Sequence, residues 1–166
     1  HVVRRAVGQS PRDRHPAPGL AGRPLATLRH VICASPRYLA ERGHPQHPRD
    51  LEHHACITLG EDERDRHWRF ERAGEAATVA VRGRYVANHS EVRLEAALSH
   101  LGIASLPGFT ARAALERGDL VTVLPDWEHK TSYAGTAWVL YPSHRFLPAK
   151  LRVWIDHLVE GFAGVE

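Results

Sequence analysis

The sequence predicts an α/β fold with a mostly parallel sheet, and three observations support this class. Short apolar segments rich in β-branched residues recur along the chain, as buried strands do. Segments with apolar residues at three- and four-residue spacing, which is typical of helices, lie between them. The two kinds of segment alternate throughout, which favours strands connected by helices. A length of 166 residues suits one domain or one two-lobed domain.

The first elements lie before residue 43. Residues 1–7 are predicted to form a short strand, and residues 8–24, with four prolines and three glycines, an irregular connection. The apolar run at residues 28–34 predicts a buried strand. Ser35 and Pro36 then begin a helix over residues 36–42. The serine oxygen can accept a hydrogen bond from a free backbone amide, and proline at the first helical position loses no hydrogen bond. Gly43 ends this helix.

The next third of the chain predicts strands separated by charged connections. A short segment beginning at Asp50 leads to a strand at residues 56–59, and residues 60–66 form a charged loop. Large apolar and polar side chains alternate at residues 68–70 and again at 78–87. This alternation is typical of half-exposed strands.

The clearest local signal in the sequence begins at Asn88. Asn88 is predicted to cap a helix, with Glu91 three residues later as in a capping box, and Gly102 ends that helix. A short strand at 103–106 and a helix at 110–117, closed by Gly118, follow. Residues 120–124 and 136–141 are predicted strands, the second apolar enough to be buried on both faces. Pro148 opens the last helix, whose apolar stripe comprises Leu151, Trp154, Ile155, Leu158 and Phe162.

Composition excludes several classes of function. No apolar run approaches the roughly 18 residues of a membrane-spanning helix, and the first residues lack the apolar core of a signal peptide. The net charge of +3 comes from 22 basic and 19 acidic residues that are scattered, which argues against direct DNA binding by this segment. The chain begins at His1 and has no methionine, so we expect it to be part of a longer protein.

Cysteine, histidine and serine residues give little sign of chemistry. Cys33 and Cys56 lie in apolar runs and are expected to be reduced core thiols in the cytoplasm, with a redox switch as the alternative. The 13 histidines form no HExxH pattern, so no metal and no cofactor are predicted. Serines beside histidine or proline lack a Gly-x-Ser-x-Gly elbow, and no catalytic residue is predicted. A hydrolase would require a serine–histidine contact in a cleft together with turnover.

Three stretches of sequence, taken together, resemble one known family. The first comprises CASPRYLAERG (33–43), PRDL (48–51) and HACI (54–57). The second runs from Gly83 through Asn88 to Ala96-Ala97 and continues with LGIASLP (101–107), GDLV (118–121) and LPDW (124–127). The third comprises YPSHR (141–145), PAKLR (148–152) and Ile155-Asp156. Their order and spacing, from about residue 28 to 160, resemble the C-terminal effector-binding domain of bacterial LysR-type transcriptional regulators.

The resemblance implies a type II periplasmic-binding-protein-like fold, in which crossing strands join two α/β lobes and an effector binds in the cleft between them. Residues 1–34 and 135–166 would then be the remnant of an incomplete first lobe, and residues 35–134 the second lobe. The family's winged helix-turn-helix is absent from this sequence, so DNA would be bound only through that missing part. Dimers or tetramers of the whole regulator are also implied.

Residue chemistry and the resemblance together select the candidate effector-binding residues. The helix that begins at Asn88, His89 and Ser90 presents free amides to which a carboxylate can bind, and His89 and Ser90 add side-chain donors. A plain capping box is the alternative interpretation, and it needs no ligand. By resemblance, this turn faces the cleft.

Two further positions border the cleft by resemblance. Pro107 and Phe109 follow the short strand, and Phe109 either covers an apolar or aromatic effector or belongs to the core of the lobe. Ser35, at the crossing, is a third candidate beside its capping role. We therefore expect a cytoplasmic ligand sensor that is not an enzyme. The alternative is a stand-alone solute-binding protein, which a secretion signal upstream would favour.

Overall fold

The computed structural model describes residues 19–143 and 147–162. The elements, in chain order, are β1 (Leu20–Leu28), β2 (His30–Ala34), α1 (Pro36–Arg42), β3 (Cys56–Ile57), β4 (His67–Arg72), β5 (Glu75–Ala80), α2 (Ser90–Leu98), β6 (Ile103–Pro107), α3 (Gly108–Arg117), β7 (Val121–Thr122), β8 (Glu128–Lys130), β9 (Gly135–Pro142) and α4 (Ala149–Phe162). Short 3₁₀ turns at Pro48–His53 and Glu63–Arg66 precede β3 and β4. The predicted α/β class is confirmed. The predicted strand at residues 1–7 lies outside the described residues.

The described chain divides into two compact units. One is continuous and runs from Arg29 to Thr131; the other combines residues up to Leu28 with residues from Ser132 onward. Residues 29–34, which are predicted to belong to a first lobe, lie in the Arg29–Thr131 unit. The assignment of these units to the lobes of a periplasmic-binding-protein-like fold stays a prediction.

Four strands form the central sheet of the Arg29–Thr131 unit, in the order β3-β6-β2-β7. Strand β3 runs parallel to β6, whereas β2 is antiparallel to both β6 and β7. The prediction of a mostly parallel sheet is therefore wrong. Strand β2 begins at the end of the sheet where β6 finishes, with His30 opposite Pro107. It is therefore antiparallel to β6 and to β3.

Side-chain alternation gives this sheet two buried faces. On one face, Ile32 and Ile103 pack with α1, β4 and β5, and on the other, Cys33 and Leu106 pack with α2 and α3. Each face has its own apolar core, so the sheet is the middle of three layers. Burial on both faces explains why β2 and β6 are almost continuously apolar in sequence.

A second, antiparallel sheet covers the first face, in the order β5-β4-β8. The predicted strand at residues 68–70 is confirmed, with Trp68 and Phe70 buried and Arg69 exposed between them. The predicted strand at 78–87 is shifted to β5, because a tight turn at Ala73-Gly74 pairs Arg72 with Glu75. Residues 81–87 form only isolated bridges, at Arg82 and Val86. Strand β8 was not predicted.

The helix ends are partly as predicted. Helix α1 matches its prediction, with the Ser35 oxygen accepting from the Tyr38 amide, and α3 closes at Gly118 in the left-handed conformation. Helix α2, however, ends at Leu98 rather than Gly102. The reason is a Schellman motif in which the Leu101 and His100 amides donate to the Ala96 and Ala97 carbonyls, respectively, and His100 adopts a φ of 63°.

In the other unit, β1 and β9 form a two-stranded antiparallel ribbon that contacts α4. Arg23 of β1 and Asp156 of α4 form an ion pair. Residues 20–24 thus belong to a strand rather than to the predicted irregular connection. Strand β9 is half-exposed instead of buried on both faces, because within the described residues it pairs only with β1.

The predictions for two other elements also need correction. Of the predicted apolar stripe on α4, Ile155 is buried, whereas Leu151, Trp154 and Phe162 are exposed. The strand predicted at 120–124 is reduced to Val121–Thr122, because the chain turns at Leu124 with a φ of 54°. None of the helices in the described ranges is long and apolar enough to cross a membrane.

Candidate functional site

The first turn of α2 carries three of the candidate residues. Asn88 and His89 are exposed, and Ser90, the first helical residue, is partly buried. The predicted capping box is wrong, because His89 rather than Asn88 occupies the N-cap position and makes no side-chain capping hydrogen bond. The buried Arg93 instead donates to the carbonyl of Ala87 at 2.9 Å and holds the segment that leads into the helix.

The first turn of α3 lies beside that of α2. Pro107 ends β6 and is the N-cap residue of α3, and the Gly108 amide donates to the Arg29 carbonyl at 2.8 Å. The buried Thr110 donates its hydroxyl proton to the Ser90 oxygen at 3.4 Å. Two helix N-termini therefore adjoin at the end of the sheet where β6 ends, and neither has a side-chain cap.

Phe109 projects from this second turn with half of its surface accessible (50% exposed). The alternative that Phe109 belongs to the core of the lobe is therefore wrong. An exposed aromatic ring next to two helix N-termini offers an apolar surface beside polar donors. That combination suits a small molecule with both an anionic and an apolar part.

Ser35 lies apart from the other candidates. It follows β2 at the end opposite His30, and five strand residues span about 16 Å. Its side chain is buried, and its oxygen accepts from the Tyr38 amide at 3.3 Å and contacts Nδ1 of His100 at 2.8 Å. The structure thus brings Asn88, His89, Ser90, Pro107 and Phe109 to neighbouring turns and leaves Ser35 elsewhere, as the cap of α1.

Two polar groups near this end of the sheet were not predicted from the sequence. Thr110 gave no signal, because its role depends on the contact between α2 and α3. The second group is a chain in which Nδ1 of His30 lies 3.1 Å and Nδ1 of His129 lies 3.2 Å from the Ser105 oxygen. His129 is buried against the rings of Trp68 and Phe70, with centroid distances of 5.4 and 5.1 Å. Burial lowers the pKa of His129 from 6.5 to about 4.

We expect this buried histidine to make the protein sensitive to acid. Its folded-state pKa lies below its unfolded value, so the unfolded chain binds the proton first. Stability from this source is complete above about pH 6.5, falls as the pH drops, and levels off near pH 4 after a loss of about 3 kcal/mol. Urea unfolding at pH 7 and pH 5 should show a loss of about 2 kcal/mol that His129→Phe lacks. Equal losses in both proteins would contradict the assignment.

The two cysteines and the serine–histidine contacts are the side chains with potential catalytic chemistry in the Arg29–Thr131 unit. Burial raises the pKa of Cys33 and of Cys56 to about 12, so both are protonated core thiols as predicted. Among the described residues, no group of three or more metal-ligating side chains exists. Ser35 contacts His100, which also interacts electrostatically with Glu41, and Ser105 contacts both His30 and His129.

Comparison with known proteins identifies what the chain is similar to. A family model described as the LysR substrate binding domain matches residues 6–163. The probable HTH-type transcriptional regulator LtrA of Klebsiella pneumoniae is 52% identical over 145 residues, which are 87% of this chain and 47% of LtrA. The HTH-type transcriptional regulator PtxR of Pseudomonas aeruginosa is 35% identical over 152 residues, which are 90% of this chain and 46% of PtxR.

Solved structures give the same result. The full-length structure of AphB, a virulence activator of Vibrio cholerae and a member of the LTTR protein family, superposes with a TM-score of 0.77 and 29% identity, covering 89% of this chain and 50% of AphB. The regulatory domain of CrgA, a LysR-type transcriptional regulator from Neisseria meningitidis, gives a TM-score of 0.71 and 28% identity, covering 87% of this chain and 70% of that domain. The chain spans about half the length of LtrA and PtxR.

Proposed function

Because the chain belongs to the LysR substrate binding domain family, we propose that it binds a small-molecule effector at the adjoining first turns of α2 and α3. The contact between Thr110 and Ser90, which joins these two turns, is the observation that supports this site most directly. The known relatives are transcriptional regulators, which disfavours a stand-alone solute-binding protein. The proposed role is binding without catalysis.

The chemistry of the two turns favours an anionic effector. Free amides at the start of α2 stabilise negative charge, and the N-cap side chain of His89 leaves them uncapped. Thr110 donates to the Ser90 oxygen, so the Ser90 hydroxyl retains its own proton for a ligand. Phe109, together with Pro107, provides the apolar surface against which the rest of the molecule would lie. Asn88, exposed beside His89, completes the proposed set.

The rest of the proposal concerns the whole regulator. We assign the Arg29–Thr131 unit to the second lobe and the other unit to the first. Effector binding would shift the population toward the lobe arrangement for which the effector has the higher affinity. A winged helix-turn-helix outside this sequence would bind DNA in the cytoplasm, and the regulator would act as a homo-oligomer.

Replacing His89 and Ser90 by alanine together is expected to abolish stabilisation by the effector. A ligand present at 100 times its Kd stabilises the folded state by about 2.7 kcal/mol, which corresponds to a rise in Tm of about 5 °C or more. The measurement is thermal unfolding of the whole regulator with and without the carboxylic acid that a screen of small organic acids selects. The double variant should show no shift with the same compound.

Ser99→Ala provides the matched control, because this exposed serine lies at the opposite end of α2. It should keep the full shift in Tm. An unchanged shift in the double variant would refute the assignment of the site to the first turn of α2. A shift lost equally in Ser99→Ala would point to a general effect of destabilising the helix.

A further inference from the structure

The hydrogen-bonded chain of His30, Ser105 and His129 lies where the Arg29–Thr131 unit begins and ends. His30 is the second residue of this unit and His129 its third-last. The Ser105 hydroxyl, in the middle of β6, contacts both imidazole rings, at 3.1 and 3.2 Å. One side chain thus connects the incoming segment of the unit, 75 residues away in sequence, with the outgoing segment, 24 residues away.

The single proton of the Ser105 hydroxyl couples the hydrogen bonding of the two imidazole rings. A serine hydroxyl has one proton to donate, and its oxygen can also accept. His129 is buried and neutral near pH 7, so its Nδ1 is either a donor or an acceptor, according to the tautomer. If Ser105 donates to one ring, the other ring must donate to Ser105 for both contacts to be hydrogen bonds. The hydrogen-bonding state of one segment therefore constrains that of the other.

The same strand leads directly into the proposed effector site. Ser105 lies two residues before Pro107, and His30 is paired with Pro107 across the sheet. The Gly108 amide, at the start of α3, also donates to the carbonyl of Arg29. The incoming segment is therefore bonded to β6 and to the start of α3, and the outgoing segment to β6. Displacement of the first turn of α3 would be transmitted to both.

We propose that Ser105 is a coupling residue, whose hydroxyl holds the incoming and outgoing segments of the Arg29–Thr131 unit on β6 so that they move together. This proposal rests on the proposed function only in taking the first turn of α3 as the place where an effector acts. The signal would then be a joint displacement of the two segments that lead to the other unit. This coupling is a means of regulation and does not require a second binding site.

Amide hydrogen exchange on the whole regulator tests the coupling without any effector. In Ser105→Ala, we expect the Gly108 amide and the amides of β8 to exchange about fivefold faster, while those of the last turn of α2 stay unchanged. Ser105→Thr keeps a hydroxyl and should restore protection at both segments. Ser99→Ala, which removes an exposed hydroxyl elsewhere in the unit, should change neither.

The ¹⁵N resonances of the His129 ring provide a readout that a purely structural role would not move. Loss of the Ser105 hydroxyl should shift the tautomer ratio of His129, and Ser105→Thr should return it. Faster exchange at only one segment, or an unchanged tautomer ratio in Ser105→Ala, would overturn the proposal. Such a result would not affect the proposed effector site. Conversely, if the exchange and tautomer results agree with the coupling but no effector raises Tm, the proposed function alone would be contradicted.

Discussion

Phe70→Ala is expected to lower the free energy of unfolding by about 3–5 kcal/mol. The Phe70 side chain is completely buried in the core between the two sheets, where its ring lies 5.1 Å from that of His129. Truncation removes most of a large apolar side chain and leaves a cavity that strands on both sides hold open. Urea denaturation monitored by circular dichroism measures the change.

Phe109→Ala is the matched control, since it removes the same atoms from a half-exposed ring. We expect it to change the free energy of unfolding by less than about 0.5 kcal/mol. The two substitutions together distinguish a core phenylalanine from one available to a ligand. A loss of several kcal/mol in Phe109→Ala would show that this ring is buried, and would remove it from the proposed site.

Gly83→Ala is expected to destabilise the protein by about 3 kcal/mol or more, because there is no space for a side chain. A Cβ at this position would lie 1.8 Å from the carbonyl oxygen of Cys56 and 2.8 Å from its carbonyl carbon. These are backbone atoms of β3. They cannot move away easily, because the Cys56 amide donates a hydrogen bond to the Arg82 carbonyl. Relief of the clash therefore requires the separation of two hydrogen-bonded segments.

Gly161→Ala tests whether the effect of Gly83→Ala depends on the site. A Cβ at Gly161, in α4, would meet no neighbouring atom of the described residues within 4 Å, and alanine is the better helix former by about 1 kcal/mol. We expect Gly161→Ala to raise Tm slightly or leave it unchanged, whereas Gly83→Ala should lower it, and thermal melts of both variants and of the parent protein measure the changes. A Gly83→Ala protein as stable as the parent would mean that residues 82–86 do not lie against β3.

Local signals in the sequence predicted the elements whose ends are set by local chemistry. Helix α1 is an example, because Ser35, Pro36 and Gly43 act on backbone groups within a few residues of themselves. Strand directions were not predictable in this way, since β2 is reversed by the path of the chain into the sheet. The end of α2 was missed because His100, rather than a glycine, adopts the left-handed conformation.

The candidate site was predictable only as far as resemblance and helix starts allowed. His89, Ser90 and Phe109 were selected from the sequence, and the structure places them on adjoining turns. Thr110, Ser105 and His129 were not selected, because each acquires its role through a contact with a residue distant in sequence. Ser35 shows the converse, since its local capping role was evident and its position relative to the other candidates was not.

Burial of Cys33 and Cys56 has a consequence for how this protein tolerates oxidants. Peroxides react with the thiolate, and a thiol with a pKa of about 12 is ionised in only about one molecule in 10⁵ at pH 7. Both residues are almost completely buried in the folded state. We therefore expect peroxides to react with either thiol mainly after the domain unfolds.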